Sequence, residues 1–298
     1  FQGSCIKRCN GDNRESRPCI RKWMRQESNN LIFNKMTIDI SWFSMAVGLL
    51  LMGIPLYIFW RFGVKLVNST VVATVRMVVQ LFLIGLYLKY LFIWNSAWIN
   101  LLWVAVMVGV ASFTATNRTH LKKSLFLLPV SVGFFASALV VGAYFLVFVL
   151  RLGHPFDARY FIPIMGILMG NMLSVAVIAL NSYYDGLQRE HQLYQYLLGN
   201  GASHLEAITP FVRKSVEKAF APCVANMAVM GLVSLPGTMI GQLLGGSLPG
   251  VAIKYQMMII IITFAASMLS LGITLYLADN RSFDKYGNLR NIFADRTL

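Results

Sequence analysis

The sequence predicts an all-α polytopic membrane protein with about seven transmembrane helices. Apolar residues make up 57% of the chain and charged residues only 13%, whereas a soluble domain carries about 25% charged residues. The chain also contains several apolar stretches of about 20 residues, the length that a helix needs to cross a hydrocarbon core of roughly 30 Å. Most of the chain is therefore expected to be solvated by lipid.

The expected spans are apolar segments separated mostly by short loops. They are Trp42 to Trp60, Val71 to Trp94, Trp98 to Ala115, Leu125 to Leu150, Tyr160 to Leu180, Ala219 to Leu244 and Val251 to Leu277. Because most loops are short, successive helices are expected to be antiparallel neighbours. Residues 36–298 are therefore predicted to form one transmembrane domain.

The loop charges predict how these spans are oriented. Most Lys and Arg beyond the first 35 residues fall in the loops at 61–76, 118–123 and 189–218 and after Asp279. Positively charged loops stay in the cytoplasm, so seven spans place the C-terminus in the cytoplasm and the N-terminus outside. The membrane is expected to be a plasma membrane or a bacterial inner membrane. The net charge of +14 then reflects loops beside anionic headgroups, and no nucleic-acid binding is predicted.

Residues 1–35 are expected to form an N-terminal tail. Their basic charge conflicts with an outside N-terminus, and Phe1 to Ser4 resembles the remnant of a cleavable purification tag. Met36 is therefore taken as a candidate native start. Three of the four cysteines lie in this tail: Cys5, Cys9 and Cys19. Their spacing matches no zinc motif, and Cys223 is alone in a span, so neither a disulfide framework nor a metal site is predicted.

One connection is longer and more polar than the others. Residues 182–218 are expected to form a cytoplasmic helical hairpin between the fifth and sixth spans. Gly199-Asn200-Gly201 supplies the left-handed conformations that end a helix. Ser203-His204-Leu205-Glu206 has the capping-box pattern of a helix start, and Thr209-Pro210 is a second start signal. These helix end and start signals therefore predict a separate short helix around Ser203 to Ile208. The rest of the hairpin would hold this helix away from the membrane, where another protein can contact it.

The sixth expected span is interrupted at Leu235-Pro236-Gly237. Proline clashes with the preceding helical turn, and glycine has little preference for a helix. Breaks at membrane depth occur where protein or a water-filled cavity surrounds the backbone, as in transport pathways. Gly237, Gly241 and Gly245 also recur every four residues, which fits close helix packing. A functional hinge and plain packing both remain open.

Several chemistries lack the residues that they need. No Gly-x-x-x-x-Gly-Lys-Ser/Thr motif occurs, so the chain is not expected to hydrolyse ATP. The 4 histidines all fall in loops, and no His-Glu-x-x-His motif occurs, which disfavours a zinc protease. No expected span holds Asp or Glu near its centre, which disfavours a proton-driven transporter and a hard-cation site. The chain is therefore predicted not to be an enzyme.

The candidate pathway residues are polar or helix-breaking residues within the spans. They are Arg76, Gln80, Asn171, Ser174, Asn226, Ser234, Pro236 and Gly237. For any one of them, bonding between neighbouring helices explains the residue as well as a lining role does. Methionines also cluster in the last three spans, and thioethers suit soft metals such as Cu(I). Adaptable packing is the better explanation for these methionines, so the metal ligands stay unknown.

Four segments resemble the FetB-type permeases of iron-export ABC transporters, to which plant aluminium-tolerance membrane subunits are similar. They are residues 76–92 (RMVVQLFLIGLYLKYLF), 162–171 (IPIMGILMGN), 231–237 (GLVSLPG) and 252–256 (AIKYQ). Together with the polar hairpin, these segments extend from the second expected span to the seventh. The first span carries little of the likeness, and the basic N-terminal tail departs from the family's pattern.

The resemblance implies a membrane (permease) subunit of an ABC-type exporter that pairs with a separate cytoplasmic ATPase, as two copies of each. ATP and Mg would belong to the ATPase, and this chain would hold no cofactor. The segment around Ser203 to Ile208 is similar to the coupling helix that such permeases insert into a groove on the ATPase. The candidate coupling residues are Leu198, Gly199, Gly201, Ala202, Ser203, Leu205 and Glu206. Iron or another metal species is the implied substrate, and sugar-nucleotide export stays open for plant-like members.

Two other classes of protein also stay open. A self-sufficient channel or secondary transporter would explain the broken sixth span, and flux through liposomes that contain only this chain would favour it. A membrane-embedded enzyme would need a nucleophile with a base beside it, and no such pair is evident. Flux that requires ATP and a second protein would instead favour the ABC class.

Overall fold

The computed structural model describes residues 41–94, 96–151, 156–284, 289–290 and 292. The expected N-terminal tail therefore lies outside the described residues. Within them the regular structure is entirely helical. In chain order the helices are α1 (Trp42–Leu50), α2 (Gly53–Arg61), α3 (Val67–Trp94), α4 (Ala97–Arg118), α5 (Lys123–Tyr144), α6 (Ala158–Arg189), α7 (His191–Gly199), α8 (His204–Val229), α9 (Gly237–Leu244) and α10 (Pro249–Ser282).

Six helical stretches of the described chain are long and apolar enough to cross a membrane. They are Trp42–Arg61, Val67–Leu88, Ala97–Arg118, Lys123–Val149, Tyr160–Arg189 and Pro249–Ser282. The first stretch combines α1 and α2, and the fourth extends α5 through a π-helical turn at Phe145–Val149. These stretches match six of the seven expected spans, which confirms an all-α polytopic membrane protein.

The expected span from Ala219 to Leu244 is not one continuous helix. α8 ends at Val229, and α9 begins only at Gly237. After α8 the backbone turns at Gly231, which has a φ of 88° and donates its N–H to the Ser234 carbonyl at 2.9 Å. The predicted break is therefore present, but it starts before Pro236: Met230 is already extended, with a ψ of 133°, and Gly231 then adopts the left-handed conformation that glycine permits. Seven separate crossings are not confirmed.

The described residues divide into two compact units. The first contains residues 41–78 and 235–256, and the second contains the remainder. In the first unit, Thr238 Oγ1 donates a hydrogen bond to Gln256 Oε1. Thr238 directly follows the resembling segment 231–237, and Gln256 is the last residue of the resembling segment 252–256.

The second unit is built around α6, which packs against α4, α5 and α8. Large side chains fill the space between these helices, and they include Phe126, Phe134, Phe161, Leu168 and Met172, each at most 2% exposed. Buried apolar side chains are the usual consequence of helices that pack on several sides. The junction between α7 and α8 and the cleft described below lie in this second unit.

The contact of α5 with α10 is unusually close at Gly133. A Cβ atom at this position would overlap Thr274 Oγ1 and would lie 3.0 Å from the Ser270 carbonyl oxygen. Small residues allow such close approaches between helices in a membrane. The hydroxyls of Ser137, Ser270 and Thr274 are buried and have no hydrogen-bond partner among the described residues. The packing of α10 therefore depends on the absence of a side chain at Gly133.

Candidate turn surface and membrane cleft

The turn between α7 and α8 closes in a Schellman motif. Ala202 N–H donates to the Leu197 carbonyl at 3.1 Å, and Gly201 N–H donates to the Leu198 carbonyl at 3.0 Å. Gly201 has a φ of 87°, which glycine adopts without the steric penalty of a Cβ. The prediction that the segment 199–201 ends a helix is confirmed, and Gly201 is the residue that supplies the left-handed conformation.

α8 begins with the predicted capping box. Ser203 N–H donates to the Glu206 carboxylate at 2.8 Å, and Glu206 N–H donates to Ser203 Oγ at 3.4 Å. The hydrogen bonds from the Ser203 backbone and side chain hold the pKa of Glu206 below its usual value. Both ends of the turn are therefore closed by local hydrogen bonds that satisfy otherwise free backbone groups.

The expected separate helix over Ser203 to Ile208 is wrong. α8 runs uninterrupted from His204 to Val229, with Pro210 inside it. Proline at this position removes the backbone hydrogen bond to the Glu206 carbonyl, and the Thr209 hydroxyl donates separately to the Leu205 carbonyl at 2.6 Å. α8 packs along α6, and this packing buries Ala207, Ile208 and Phe211. We attribute the continuity of α8 to this burial, which offsets the lost bond.

One side of the α7–α8 junction is exposed. Leu205 and Tyr196 are 67% and 68% exposed, respectively. The exposed or half-buried residues here are named the turn surface: Leu193, Tyr196, Leu198, Gly199, Gly201, Ala202, Ser203, Leu205 and Glu206. The turn surface includes all seven predicted coupling residues, and their role in coupling stays a prediction. Leu193 and Tyr196 escaped the sequence analysis, although an apolar pair three residues apart in a polar helix is a recognisable signal.

A polar network connects the turn surface to two long helices. Asp279 on α10 accepts a hydrogen bond from Tyr183 Oη on α6 at 3.0 Å. Its other carboxylate oxygen lies 2.8 Å from Nε2 of His204, the first residue of α8. Nδ1 of His204 lies 3.0 Å from Tyr194 Oη on α7. Residues from four helices therefore meet around one carboxylate.

The network has a consistent pattern of donors and acceptors. A carboxylate only accepts hydrogen bonds, so Nε2 of His204 carries a hydrogen and donates it to Asp279, while Nδ1 forms the second contact of the ring, with Tyr194 Oη. The side chain of Asp279 is 13% exposed and that of His204 is 36% exposed. Burial, and secondarily the charge of Asp279, raises the pKa of Tyr194. Sequence analysis missed this network because its members are distant from one another in the chain.

The second unit also contains a cleft bordered by α6, α8 and α10. Its volume is ≈ 160 Å³, and amides, hydroxyls, sulphur atoms and rings line it. The lining residues are Asn171, Phe220, Cys223, Asn226, Met227, Met230, Ile260, Thr263, Phe264 and Ser267. The cleft brings together two predicted pathway residues, Asn171 of α6 and Asn226 of α8. Asn171 Nδ2 donates to the Ile167 carbonyl of its own helix at 3.0 Å.

The other predicted pathway residues do not line this cleft. They are Arg76 and Gln80 on α3, Ser174 on α6, Ser234 in the break after α8, Pro236 before α9 and Gly237 at its start. The Ser174 hydroxyl donates to the Gly170 carbonyl at 3.0 Å, a local bond of the kind that hydroxyls commonly make within helices. Roles for these residues in a pathway stay predictions.

Residues 42–283 match the sequence profile of a family described as "Uncharacterised protein family (UPF0014)". The chain belongs to this family. The matched range includes every helix from α1 to α10. The turn surface, the polar network and the cleft therefore all lie within the UPF0014 region.

Three relatives show what this chain is similar to. "Probable iron export permease protein FetB" of Escherichia coli K12 is 29% identical over 248 residues, which cover 83% of this chain and 93% of the relative. "Protein ALUMINUM SENSITIVE 3" of Arabidopsis thaliana is 29% identical over 227 residues, covering 75% and 80%. "UPF0014 membrane protein STAR2" of rice is 31% identical over 234 residues, covering 78% and 79%. These relatives confirm the resemblance to FetB-type permeases. No solved structure matches the chain.

Proposed function

We propose that this chain is the permease subunit of an ABC-type exporter and that a separate cytoplasmic ATPase drives it. The turn surface is the observation that carries this proposal. It is a junction closed by local hydrogen bonds that exposes Leu205 and Tyr196, and it lies outside the six apolar stretches. Exposed apolar and aromatic side chains in a polar setting are typical of the centre of a protein contact.

The polar network connects the turn surface to α6 and α10, so a movement of the turn surface is transmitted to these two helices. A displacement of Leu205 moves its neighbour His204, which contacts Asp279 of α10 at 2.8 Å. Asp279 in turn holds Tyr183 of α6. Separating partly buried charged and polar partners is costly, so α6 and α10 are expected to follow the turn. Binding and hydrolysis of ATP on the partner would then rearrange the membrane helices.

Other features support the remaining parts of the proposal. The chain has no phosphate-binding loop, so ATP and Mg are assigned to the partner. The name of the E. coli relative contains "iron export permease", and we propose iron or another metal species as the substrate. Two copies of this chain would assemble with the ATPase. Asn171 and Asn226, which share the cleft, are proposed to line the pathway.

The loop charges still provide the orientation. We place the turn surface and the C-terminus in the cytoplasm, because the hairpin carries the basic residues Arg189, Arg213, Lys214 and Lys218. The N-terminus lies outside if α8 and α9 together complete a seventh crossing. The membrane would be a plasma membrane or a bacterial inner membrane.

Reconstitution tests the proposal directly. The protein is co-purified from its native host, the bound ATPase is identified, and both are placed in liposomes with candidate solutes. Solute transport should require ATP and both proteins, and the presence of this chain should change the rate of ATP hydrolysis. Solute flux through liposomes that contain this chain alone would contradict the proposal. It would favour the self-sufficient channel or secondary transporter, for which the observed break after Val229 is the supporting feature.

A further inference from the structure

Three sulphur-bearing side chains line the cleft from a single stretch of chain. They are Cys223 and Met227 of α8 and Met230, the residue that caps this helix. Their spacing of four and then three residues places them on one side of a helix. The spacing is visible in the sequence, but the cavity that they share is a finding of the structure.

Met227 and Met230 are packed less tightly than the methionines of α6, while Cys223 packs partly against the hydrophobic core. Met165, Met169 and Met172 of α6 are only 1%, 3% and 1% exposed, respectively, so they fill the core. Met227 is 40% exposed, and Cys223 and Met230 are half-buried beside the cleft. The sulphur atoms of the cleft residues are therefore candidates for contact with a ligand.

The lining determines which charge the cleft can neutralise. Cys223 is the one lining side chain whose proton a bound metal ion can displace, because the others are amides, hydroxyls, thioethers and hydrocarbons. A single thiolate neutralises a monovalent cation, whereas a divalent or trivalent cation at the same site would keep a net positive charge that no other lining side chain offsets. Among the described residues, no group of three His, Cys, Asp or Glu is placed to hold a metal ion.

We propose that this cleft binds a soft monovalent cation, Cu(I) with Ag(I) as its analogue, through the Cys223 thiolate and the Met227 and Met230 thioethers. Thiolate and thioether ligands select Cu(I) over harder cations. On binding, the S–H bond of Cys223 breaks, a sulphur–metal bond forms and the proton passes to water, so the bound site is neutral. No oxidation or reduction takes place. The role of the cleft as a transport site rests on the proposed function. The inference narrows the proposed substrate from a metal species in general to a thiophilic cation.

The test uses Ag(I) and the purified full-length chain in detergent, without any ATPase. A negative result in this experiment therefore contradicts the metal site alone. A lack of ATP-driven transport is detected separately, by the reconstitution described above. Because the tail thiols also bind Ag(I), every variant carries serine in place of Cys5, Cys9 and Cys19. Titration calorimetry in the presence of excess glutathione should show one Ag(I) ion bound per chain. Zn(II) and Fe(II), the comparison ions, should not compete for the site.

Variants then locate the site. Two variants should each weaken Ag(I) binding by more than about tenfold: Cys223→Ser, and the double variant Met227→Leu with Met230→Leu. Loss of a residue that only hydrogen-bonds to a metal ligand already costs about 10- to 100-fold in metal affinity. Met169→Leu is the matched control, because Met169 is a core methionine, and its Ag(I) affinity should be unchanged. Equal Ag(I) affinity in the double variant and in its parent would overturn the proposal.

A second measurement does not depend on how the variants fold. The parent protein is treated with excess N-ethylmaleimide in thiol-free buffer, with or without one equivalent of Ag(I), and alkylation of Cys223 is measured by mass spectrometry. Protection by Ag(I) but not by Zn(II) is expected. Equal alkylation with and without Ag(I), or equal protection by Zn(II), would show that the cleft is not a soft-cation site.

Discussion

Nε2 of His204 lies 2.8 Å from Oδ2 of Asp279, and this contact joins the first residue of α8 to the C-terminal part of α10. The same carboxylate accepts a hydrogen bond from Tyr183 of α6. The α7–α8 junction, which exposes apolar side chains, is thereby connected to α6 and α10, two of the longest helices that the structure describes. We expect the behaviour of the turn surface and that of the long helices to be coupled through Asp279.

Asp279→Asn should weaken this coupling, because an amide offers one acceptor oxygen where the carboxylate offers two. Loss of a partner in a partly buried network costs about 1 to 3 kcal/mol, so we expect a lower Tm of the purified chain. With the ATPase present, hydrolysis should continue while transport per ATP falls. Thermal unfolding and paired transport and hydrolysis assays measure these effects.

A double-mutant cycle with His204→Gln separates the contact from general damage. The two substitutions should be non-additive by about 0.5 to 3 kcal/mol, the range for contacting residues. Glu190→Gln is the control, because it breaks the exposed Glu190–Lys214 ion pair of the same segment. Such surface pairs contribute about 0 to 1 kcal/mol. Additive effects at His204 and Asp279, or normal transport per ATP in both variants, would refute the coupling.

Gly201→Ala should destabilise the turn, because Gly201 has a φ of 87°. The left-handed conformation costs a residue with a Cβ about 1 to 2 kcal/mol. Gly199→Ala is a matched control two residues away, since Gly199 is the last residue of α7 and a Cβ at either glycine meets nothing within 4 Å. Hydrogen exchange at the turn should rise only in Gly201→Ala. Equal exchange in both variants would show that the turn is not held by this conformation.

Gly133→Ala should lower the Tm of the protein, because the new methyl group would meet Thr274 and the Ser270 backbone. Adding a methyl group to a tightly packed contact costs about 1 to 3 kcal/mol. Gly109→Ala on α4 is the control, since a Cβ there meets nothing within 4 Å. Thermal unfolding of the two variants in the same detergent checks the difference, and an unchanged Tm for Gly133→Ala would contradict the close approach of α10.

The capping box should weaken in acid. Hydrogen bonds from Ser203 lower the pKa of Glu206 in the folded chain, so their stabilisation is fully present above the unfolded pKa of about 4.3. This stabilisation is lost as the pH falls through the lower pKa that Glu206 has in the folded chain. Hydrogen exchange of the first turn of α8 should therefore increase in that acid range in the parent protein. Glu206→Gln should not show this increase, and a matching increase in the Gln variant would exclude Glu206 as its source.

Sequence analysis predicted the features that depend on neighbouring residues. The helix end at Gly201 and the capping box between Ser203 and Glu206 both follow from side chains within a few positions of each other. The break near Pro236 was predicted for the same reason. Six expected spans also match helices of the structure, because length and apolar composition are properties of a continuous segment.

Features that depend on distant residues could not be predicted from one sequence. Packing along α6 keeps α8 helical through Pro210, although local signals indicate a second helix start there. His204 and Asp279 are separated by 75 positions, and neither residue alone indicates a partner. The cleft likewise combines residues from three helices, so the sequence predicted Asn171 and Asn226 as separate candidates without indicating that they share one cavity.

The central claim is that the separate ATPase binds the turn surface. Site-specific photo-crosslinking tests it, with p-benzoylphenylalanine placed at Leu205 and, as a control, at Trp98, a residue 80% exposed at the start of α4. The crosslinker at Leu205 should capture the co-purified ATPase in native membranes, and the crosslinker at Trp98 should not. ATPase crosslinks at Trp98 with none at Leu205 would contradict the account.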